Sequence, residues 1–287
     1  MPVHLPDTVD AAVSALASDP VSTVLAGGTD LMVEVNDGHR RPDRSVVVVN
    51  RIPELRSWRR SADASSVSIG AAVSWTELVD GPLAAMVPAL AQASRTVGSP
   101  QIRNVGTLGG NLATCSPAGD GLPVLSALGA TVELASVSGR RSLPVADFML
   151  GVKRTALGPG EIIVSITLPV VDGWQGYAKV GVRNAMVIAV ASACVVLDRE
   201  HRSVAVALGS VGPTVLRCPE AEAHLAEVID WEQLDVPVDQ LDRFAELVAA
   251  ASRPISDHRS TADYRRHAVG VLAQRLVRRA ALLERAA

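Results

Sequence analysis

The sequence is poor in cysteine. Cys115, Cys194 and Cys218 are the three in 287 residues, and no two of them form a CxxC or CxxxC pair. That excludes a disulfide scaffold, and it excludes an iron–sulfur cluster or structural zinc encoded by a local motif. The six histidines show no HxxxH or HExxH spacing, so no metal site is expected. An excess of positive charge is also missing: 27 Lys and Arg stand against 30 Asp and Glu, for a net charge of −3. Nucleic-acid binding through phosphate neutralisation is therefore not expected. Long apolar runs are absent too. The longest, from Ala185 to Leu197, is broken by Ser192, and a membrane-spanning helix needs about 20 such residues. The opening MPVHLPDTVDAAVSAL has neither a basic segment nor a long apolar one, so a cytoplasmic location is expected. Two nucleotide-binding fingerprints are missing as well, GxGxxG and GxxxxGK[ST].

What is present is core material. Hydrophobic residues make up 48% of the chain and charged residues 20%, with a mean hydropathy of +0.25. A chain of this size and composition folds, and its length suggests two domains. Val9, Val13 and Leu16 predict a helix over 7–18, with Asp7 as its cap. Strands are predicted at 21–25, 46–49, 67–71, 131–135 and 162–168. Ser74 and Glu77 have capping-box spacing and start a helix. Residues 83–96 and 122–128 also read as helical. Strands follow at 176–182, 188–197 and 203–208. Beyond Pro219 three helical faces appear: Leu225, Val228 and Ile229; Leu241, Phe244, Leu247 and Val248; and Val269, Leu272, Leu276, Ala280 and Leu283. The arginines of the last helix (265, 266, 275, 278, 279 and 285) read as its solvated face.

Two paired-glycine segments carry the functional signal. The first is Leu25-Ala26-Gly27-Gly28-Thr29-Asp30-Leu31, directly after a predicted strand. Adjacent glycines allow a sharp turn and close approach of backbone to a ligand. Their successive amides can form an anion-binding concavity. The second runs from Thr107 through Gly109, Gly110 and Asn111 to the SPAGD sequence ending at Asp120. Read as a second glycine loop, it offers hydroxyl, amide and carboxylate groups to phosphate or sugar oxygens. Together the two segments suit a clamp on one pyrophosphate.

The order AGGTDL, IPEL, IGAAVSWTEL and QIRNVGTLGGNLATCSPAGD resembles the FAD-binding medium subunit of the molybdenum hydroxylases, which include xanthine dehydrogenase and aerobic carbon monoxide dehydrogenase. GYAKVGVRNAMVIAVASACVVLD and DHRSTADYRRHAVGVLAQRLVRRA extend the resemblance along the chain. It implies an α+β fold: a two-subdomain FAD-binding fold of the vanillyl-alcohol-oxidase type (1–56 and 57–172), then a C-terminal α+β domain (173–287) with a small antiparallel sheet and helices. It implies FAD as cofactor, with Leu25–Leu31 around the pyrophosphate and Thr107, Gly109, Gly110 and Asn111 as a second wall. Asp120 falls on the sugar, Ile163 meets the adenine through its backbone, Lys179 lies near the cofactor, and Ile188 lies over the isoalloxazine. It also implies an iron–sulfur small subunit and a molybdopterin large subunit as partners, with electrons relayed through FAD to an external acceptor. The alternative is a stand-alone FAD-dependent oxidase or dehydrogenase, which needs a base near the flavin; His39 and Tyr177 are its candidates.

Overall fold

The structure is a computed structural model and describes residues 2–39 and 44–284. Its elements run β1 (Val3–His4), α1 (Val9–Ser18), β2 (Thr23–Leu25), α2 (Thr29–Asn36), β3 (Val46–Val48), α3 (Pro53–Arg56), β4 (Trp58–Arg60), β5 (Ser66–Gly70) and α4 (Trp75–Val79). Then come α5 (Gly81–Met86), α6 (Pro88–Thr96), α7 (Pro100–Val105), α8 (Leu108–Thr114), α9 (Gly121–Ala127), β6 (Thr131–Ser136), β7 (Gly139–Pro144) and α10 (Val145–Phe148). The chain continues through β8 (Met149–Gly151), β9 (Arg154–Thr155), β10 (Ile162–Pro169), β11 (Gly173–Val180), β12 (Ala191–Asp198), β13 (Ser203–Gly209) and β14 (Leu216–Arg217). It ends with α11 (Pro219–Val228), α12 (Val238–Ala251) and α13 (Ala262–Glu284).

Contacts divide the chain into two compact units. One takes residues up to Leu78, then 99–115 and 129–169; the other takes 79–98, 116–128 and everything from Val170 onward.

The first unit contains two main sheets. β1, β3 and β2 form a parallel sheet in that spatial order. α1 packs against it, burying Val9, Val13 and Leu16 with Val47, Ile52 and Leu55. The α1 cap is Thr8 rather than the expected Asp7: the Thr8 hydroxyl accepts from the Ala11 amide at 3.1 Å. A longer antiparallel sheet has the order β4-β5-β10-β6-β7. Its central strand β10 carries a register shift between Ile163 and Ser165, which frees Val164 to accept from the Ala71 amide at 2.9 Å. Half of the expected capping box forms: the Glu77 carboxylate accepts from the Ser74 amide at 2.9 Å, but the Ser74 hydroxyl donates to that carboxylate at 2.6 Å, and the Glu77 amide goes to the Ser74 carbonyl at 3.1 Å.

The second unit is built on the antiparallel sheet β11-β12-β13-β14. Every residue of β12 except Asp198 is buried. That explains its continuous apolar sequence, since a strand covered on both faces has no polar side to alternate with. α6 and α13 pack on β11, and α9 and α11 pack on β13. Leu225 of α11, Phe244 of α12, and Leu276 and Val277 of α13 share one core with Val195 and Leu197 of β12.

Four further expectations fail in detail. Residues 83–96 are two helices, because the chain breaks at Val87 and restarts at Pro88, a residue suited to the first helical turn. Leu283 is half-exposed rather than in the core. Arg266, Arg275, Arg278 and Arg279 are exposed as expected, but Arg265 is buried at 4% exposure; Arg285 lies outside the described residues. Finally, the segment from Thr107, read as a glycine loop, opens a helix, α8, directly after another, α7. No helix among the described residues is long and apolar enough to cross a membrane.

Candidate functional site

β2 ends at Leu25, and the chain turns through Ala26 and Gly27 into Gly28, the N-cap of α2. Gly28 has φ +73°, a left-handed conformation that glycine adopts without strain. It supplies no side-chain cap, so α2 begins with no side chain on its first amides. Gly27 is glycine for a different reason: a Cβ there would collide with the carbonyl of Val105 and crowd the Cα of Gly106 at 2.9 Å. The first segment therefore touches, backbone to backbone, the residues that lead into the second. A second tie joins the two segments, since the Asp30 carboxylate accepts from the Thr114 hydroxyl at 2.7 Å. Thr29, Asp30 and Leu31 form the first turn of α2, and no residue of that helix is buried.

The second segment is not the expected loop. Thr107 caps α8, and Leu108, Gly109 and Gly110 are its first turn. The Thr107 hydroxyl accepts from the Gly110 amide at 3.0 Å. The Leu108 amide donates to the Val73 carbonyl at 3.1 Å, and the Gly109 amide to the Ala71 carbonyl at 2.9 Å. The amide of Asn111 donates to the Thr107 carbonyl at 3.0 Å. These donors are spent inside the protein, which overturns the idea of an anion concavity built from two equivalent loops. The glycines have separate causes. At Gly109 a Cβ would lie 2.7 Å from the Ala71 carbonyl oxygen, so the helix could not seat on that backbone. At Gly110 a Cβ meets only the Thr107 hydroxyl, at 2.9 Å, and otherwise faces open space. Ile163 also belongs to the first unit, buried on β10 beside the register shift.

Asp120, Lys179 and Ile188 belong to the second unit. Asp120, the residue just before α9, is buried and accepts from two groups on β11. The Lys179 ammonium donates at 2.8 Å and the Tyr177 hydroxyl at 2.7 Å. Burial pushes the Asp120 carboxyl up from its ordinary pKa, while Lys179 and Tyr177 pull it back. Burial, then the neighbouring Asp120, pushes the Tyr177 phenol well above its ordinary value. Tyr177 is thus a fixed donor rather than the base considered from the sequence. The Lys179 ammonium also donates to the carbonyls of Thr96 and Val187, at 2.9 and 3.1 Å. Its three protons match these three acceptors.

Sequence reasoning missed the part played by Tyr177. The available signal was the spacing of Tyr177 and Lys179, which places both on one face of a strand. Ile188 lies in the 181–190 connection between β11 and β12 and is 52% exposed. His39, the other candidate base, is exposed.

A family model described as the FAD binding domain in molybdopterin dehydrogenase matches residues 1–171. A second, the CO dehydrogenase flavoprotein C-terminal domain, matches residues 177–280. The chain is 33% identical over 270 residues to the glyceraldehyde dehydrogenase medium chain of Sulfolobus acidocaldarius, covering 93% of each. It is 32% identical over 281 residues to the carbon monoxide dehydrogenase medium chain of Afipia carboxidovorans, covering 96% of this chain and 95% of that one. Among solved structures it superposes on a chain of a Cu,Mo-CO dehydrogenase with a TM-score of 0.87 at 31% identity, covering 98% of each. A chain of quinoline 2-oxidoreductase from Pseudomonas putida 86 gives 0.89 at 27% identity, over 99% of this chain and 98% of that one.

Proposed function

This chain belongs to the FAD-binding medium-subunit family of the molybdenum hydroxylases, and from that premise we propose how its own residues hold the flavin. It is a flavoprotein oxidoreductase subunit with FAD as cofactor and an α+β fold of the family's type. When bound, FAD supplies the redox chemistry: it takes up electrons from one partner and delivers them to another.

The backbone contact between Gly27 and Val105–Gly106 carries the reading. It fixes the turn that starts α2, whose first amides have no side-chain cap. A pyrophosphate at this helix start would satisfy those amides and meet the positive end of the helix dipole. The segment Leu25–Leu31 therefore supplies the main-chain donors. The Thr107–Asn111 segment supplies a wall, with the open face of Gly110 giving the phosphates room. Ile163 meets the adenine through its backbone beside the β10 register shift, Asp120 accepts from the sugar, Lys179 lies near the cofactor, and Ile188 offers the isoalloxazine an apolar contact. The three hydrogen bonds of the Lys179 ammonium support a refinement: it orders Asp120 and Val187 rather than meeting the cofactor as a free charge.

The partners proposed are an iron–sulfur small subunit and a molybdopterin large subunit. Relatives named medium chains support this, as does a sequence whose three cysteines sit far apart. The break between the two family matches, from 171 to 177, supports a division near residue 172. Three free, buried cysteines suit a reducing compartment, and the cytoplasm is the proposed location.

The test is a visible spectrum of the chain purified with its partners. A flavin band whose chromophore is released as FAD on denaturation, and which bleaches when the complex receives its reducing substrate, is the expected result. A colourless protein that takes up no added FAD would overturn the proposal. A chain that turns over a small molecule without any partner would favour the stand-alone alternative.

A further inference from the structure

The 181–190 connection is held by side chains to an unusual degree. Of the six carbonyls from Ala185 to Val190, five accept from side chains. Arg183 Nε donates to Ala185 and Met186, each at 3.1 Å. Lys179 holds Val187 at 3.1 Å. The Ser210 hydroxyl holds Ala189 at 2.9 Å, and Arg265 Nη1 holds Val190 at 2.8 Å. Met186 has φ +50°, a strained conformation for a residue with a side chain, so the segment is braced in a shape it would not otherwise choose.

Arg265 stands out among these braces. It lies in the first turn of α13, far from the loop in sequence, and its side chain is 5% exposed. The same Nη1 that holds Val190 also donates to the carbonyl of Ser210 at 3.0 Å, and Ser210 in turn holds Ala189. One guanidinium thus fixes both chain ends around Ile188's C-terminal neighbours. Asp257 orients it, accepting from Nη2 at 2.7 Å while also accepting from the amides of Arg259 and Ser260. Nε is buried with no hydrogen-bond partner. A buried guanidinium with an orphaned donor is poor at stabilising a core, since apolar side chains of similar volume do that as well or better. What apolar side chains cannot do is hold two carbonyls at a set separation.

We propose that Arg265 is a positioning residue for the flavin: by pinning the carbonyls of Val190 and Ser210 it sets where the Ile188 side chain stands. The inference rests on the reading that Ile188 faces the isoalloxazine. The test uses the FAD-loaded chain in its complex, with FAD content measured first, and compares wild type with Arg265→Met. Amide exchange in the 187–190 segment is expected to rise at least tenfold, while that of Val195 and Val206 in the sheet is unchanged. The flavin absorption band and midpoint potential are expected to shift, and Arg265→Lys to recover part of the shift. Unchanged exchange in the loop would overturn the clamp. Faster exchange with an unmoved band and potential would overturn the link to the flavin while leaving FAD binding intact, whereas wild-type chain without FAD would instead sink the functional reading. If Arg265→Met does not fold, Ser210→Ala removes the bond to Ala189 without touching α13. It is expected to move the same band in the same direction by less, and a null result there overturns the proposal.

Discussion

Gly110→Ala separates a structural glycine from a cofactor glycine within a single turn of helix. The added methyl would lie 2.9 Å from the Thr107 hydroxyl, which it displaces from its bond to the residue 110 amide. Losing that cap costs about 1 kcal/mol. Replacing glycine by alanine in a helix returns about 0.8–1 kcal/mol. The two nearly cancel, so stability should change by less than about 1 kcal/mol and Tm by no more than about 2–4 °C. FAD affinity has no such compensation. The methyl points into the open space that the proposed pyrophosphate needs, and overfilling a fitted contact costs about 1–3 kcal/mol. That corresponds to a roughly 5- to 160-fold rise in Kd. The assay pairs scanning calorimetry of the FAD-free protein with a fluorescence titration of FAD into it. A protein of wild-type stability and wild-type FAD affinity would refute the placement of the phosphates at this turn. A large loss of stability would refute the cancellation.

Other substitutions test the remaining steps. Gly27→Ala has no open face to use, because its Cβ would meet the Val105 backbone; a loss near 3 kcal/mol in denaturant unfolding is expected even without FAD. Lys179→Met leaves Asp120 buried beside Tyr177 alone, and breaking a buried ion pair typically costs about 3–5 kcal/mol. That loss should depend on pH in a defined direction. A carboxyl whose folded pKa is raised binds more protons folded than unfolded, so the penalty is full above the folded value and fades as pH falls towards the ordinary carboxylate range. Urea midpoints of the variant, measured relative to wild type from neutral to acid pH, will show whether the gap narrows. Asp257 behaves oppositely. The Arg259 amide, with Arg265 and the Ser260 amide, holds its carboxyl down to about 2. Its contribution is present above the unfolded carboxylate pKa and lost as pH falls from there through about 2. Protection factors in 187–190 should therefore hold at mildly acid pH and drop only in that window.

Much of the framework could be read from side-chain periodicity. β3, β5, β6, β10 and β13 lie where apolar runs place them, and α1 lies where its spacing of four and three predicts; β12 starts at Ala191 rather than Ile188, which stands in the connection before it. The half capping box at Ser74 needed only the identity of two residues. α7 and α8 were hidden because glycine, serine and proline count as turn formers, although Ser99 before Pro100 and Thr107 before Leu108 are good helix starts. Gly109 sits in a helix because of a neighbour, Ala71, nearly forty positions earlier, and local sequence carries no trace of that contact. Arg265 was misread for the same reason. A stripe of arginines looks solvated until the carbonyls of Val190, just before β12, and Ser210, just after β13, are brought to one of them. The glycine segments were recognisable as a site, but the division of labour between them, one offering amides and the other having spent its own, depended on the tertiary hydrogen bonds.

The second unit is assembled from three pieces of chain, 79–98, 116–128 and the stretch from Val170 onward. Synthesis makes these pieces out of step. α6 leaves the ribosome with Leu90 and Ala93 meant for burial, but β11, against which it packs, is about eighty residues behind. At about 5–20 residues per second that is a delay of several seconds, during which an apolar helix has no surface to rest on. Cutting the chain near residue 172 would make the delay permanent. The 173–287 fragment would emerge with a sheet lacking both α6 and α9, and its poor solubility would reflect missing pieces rather than a weak core.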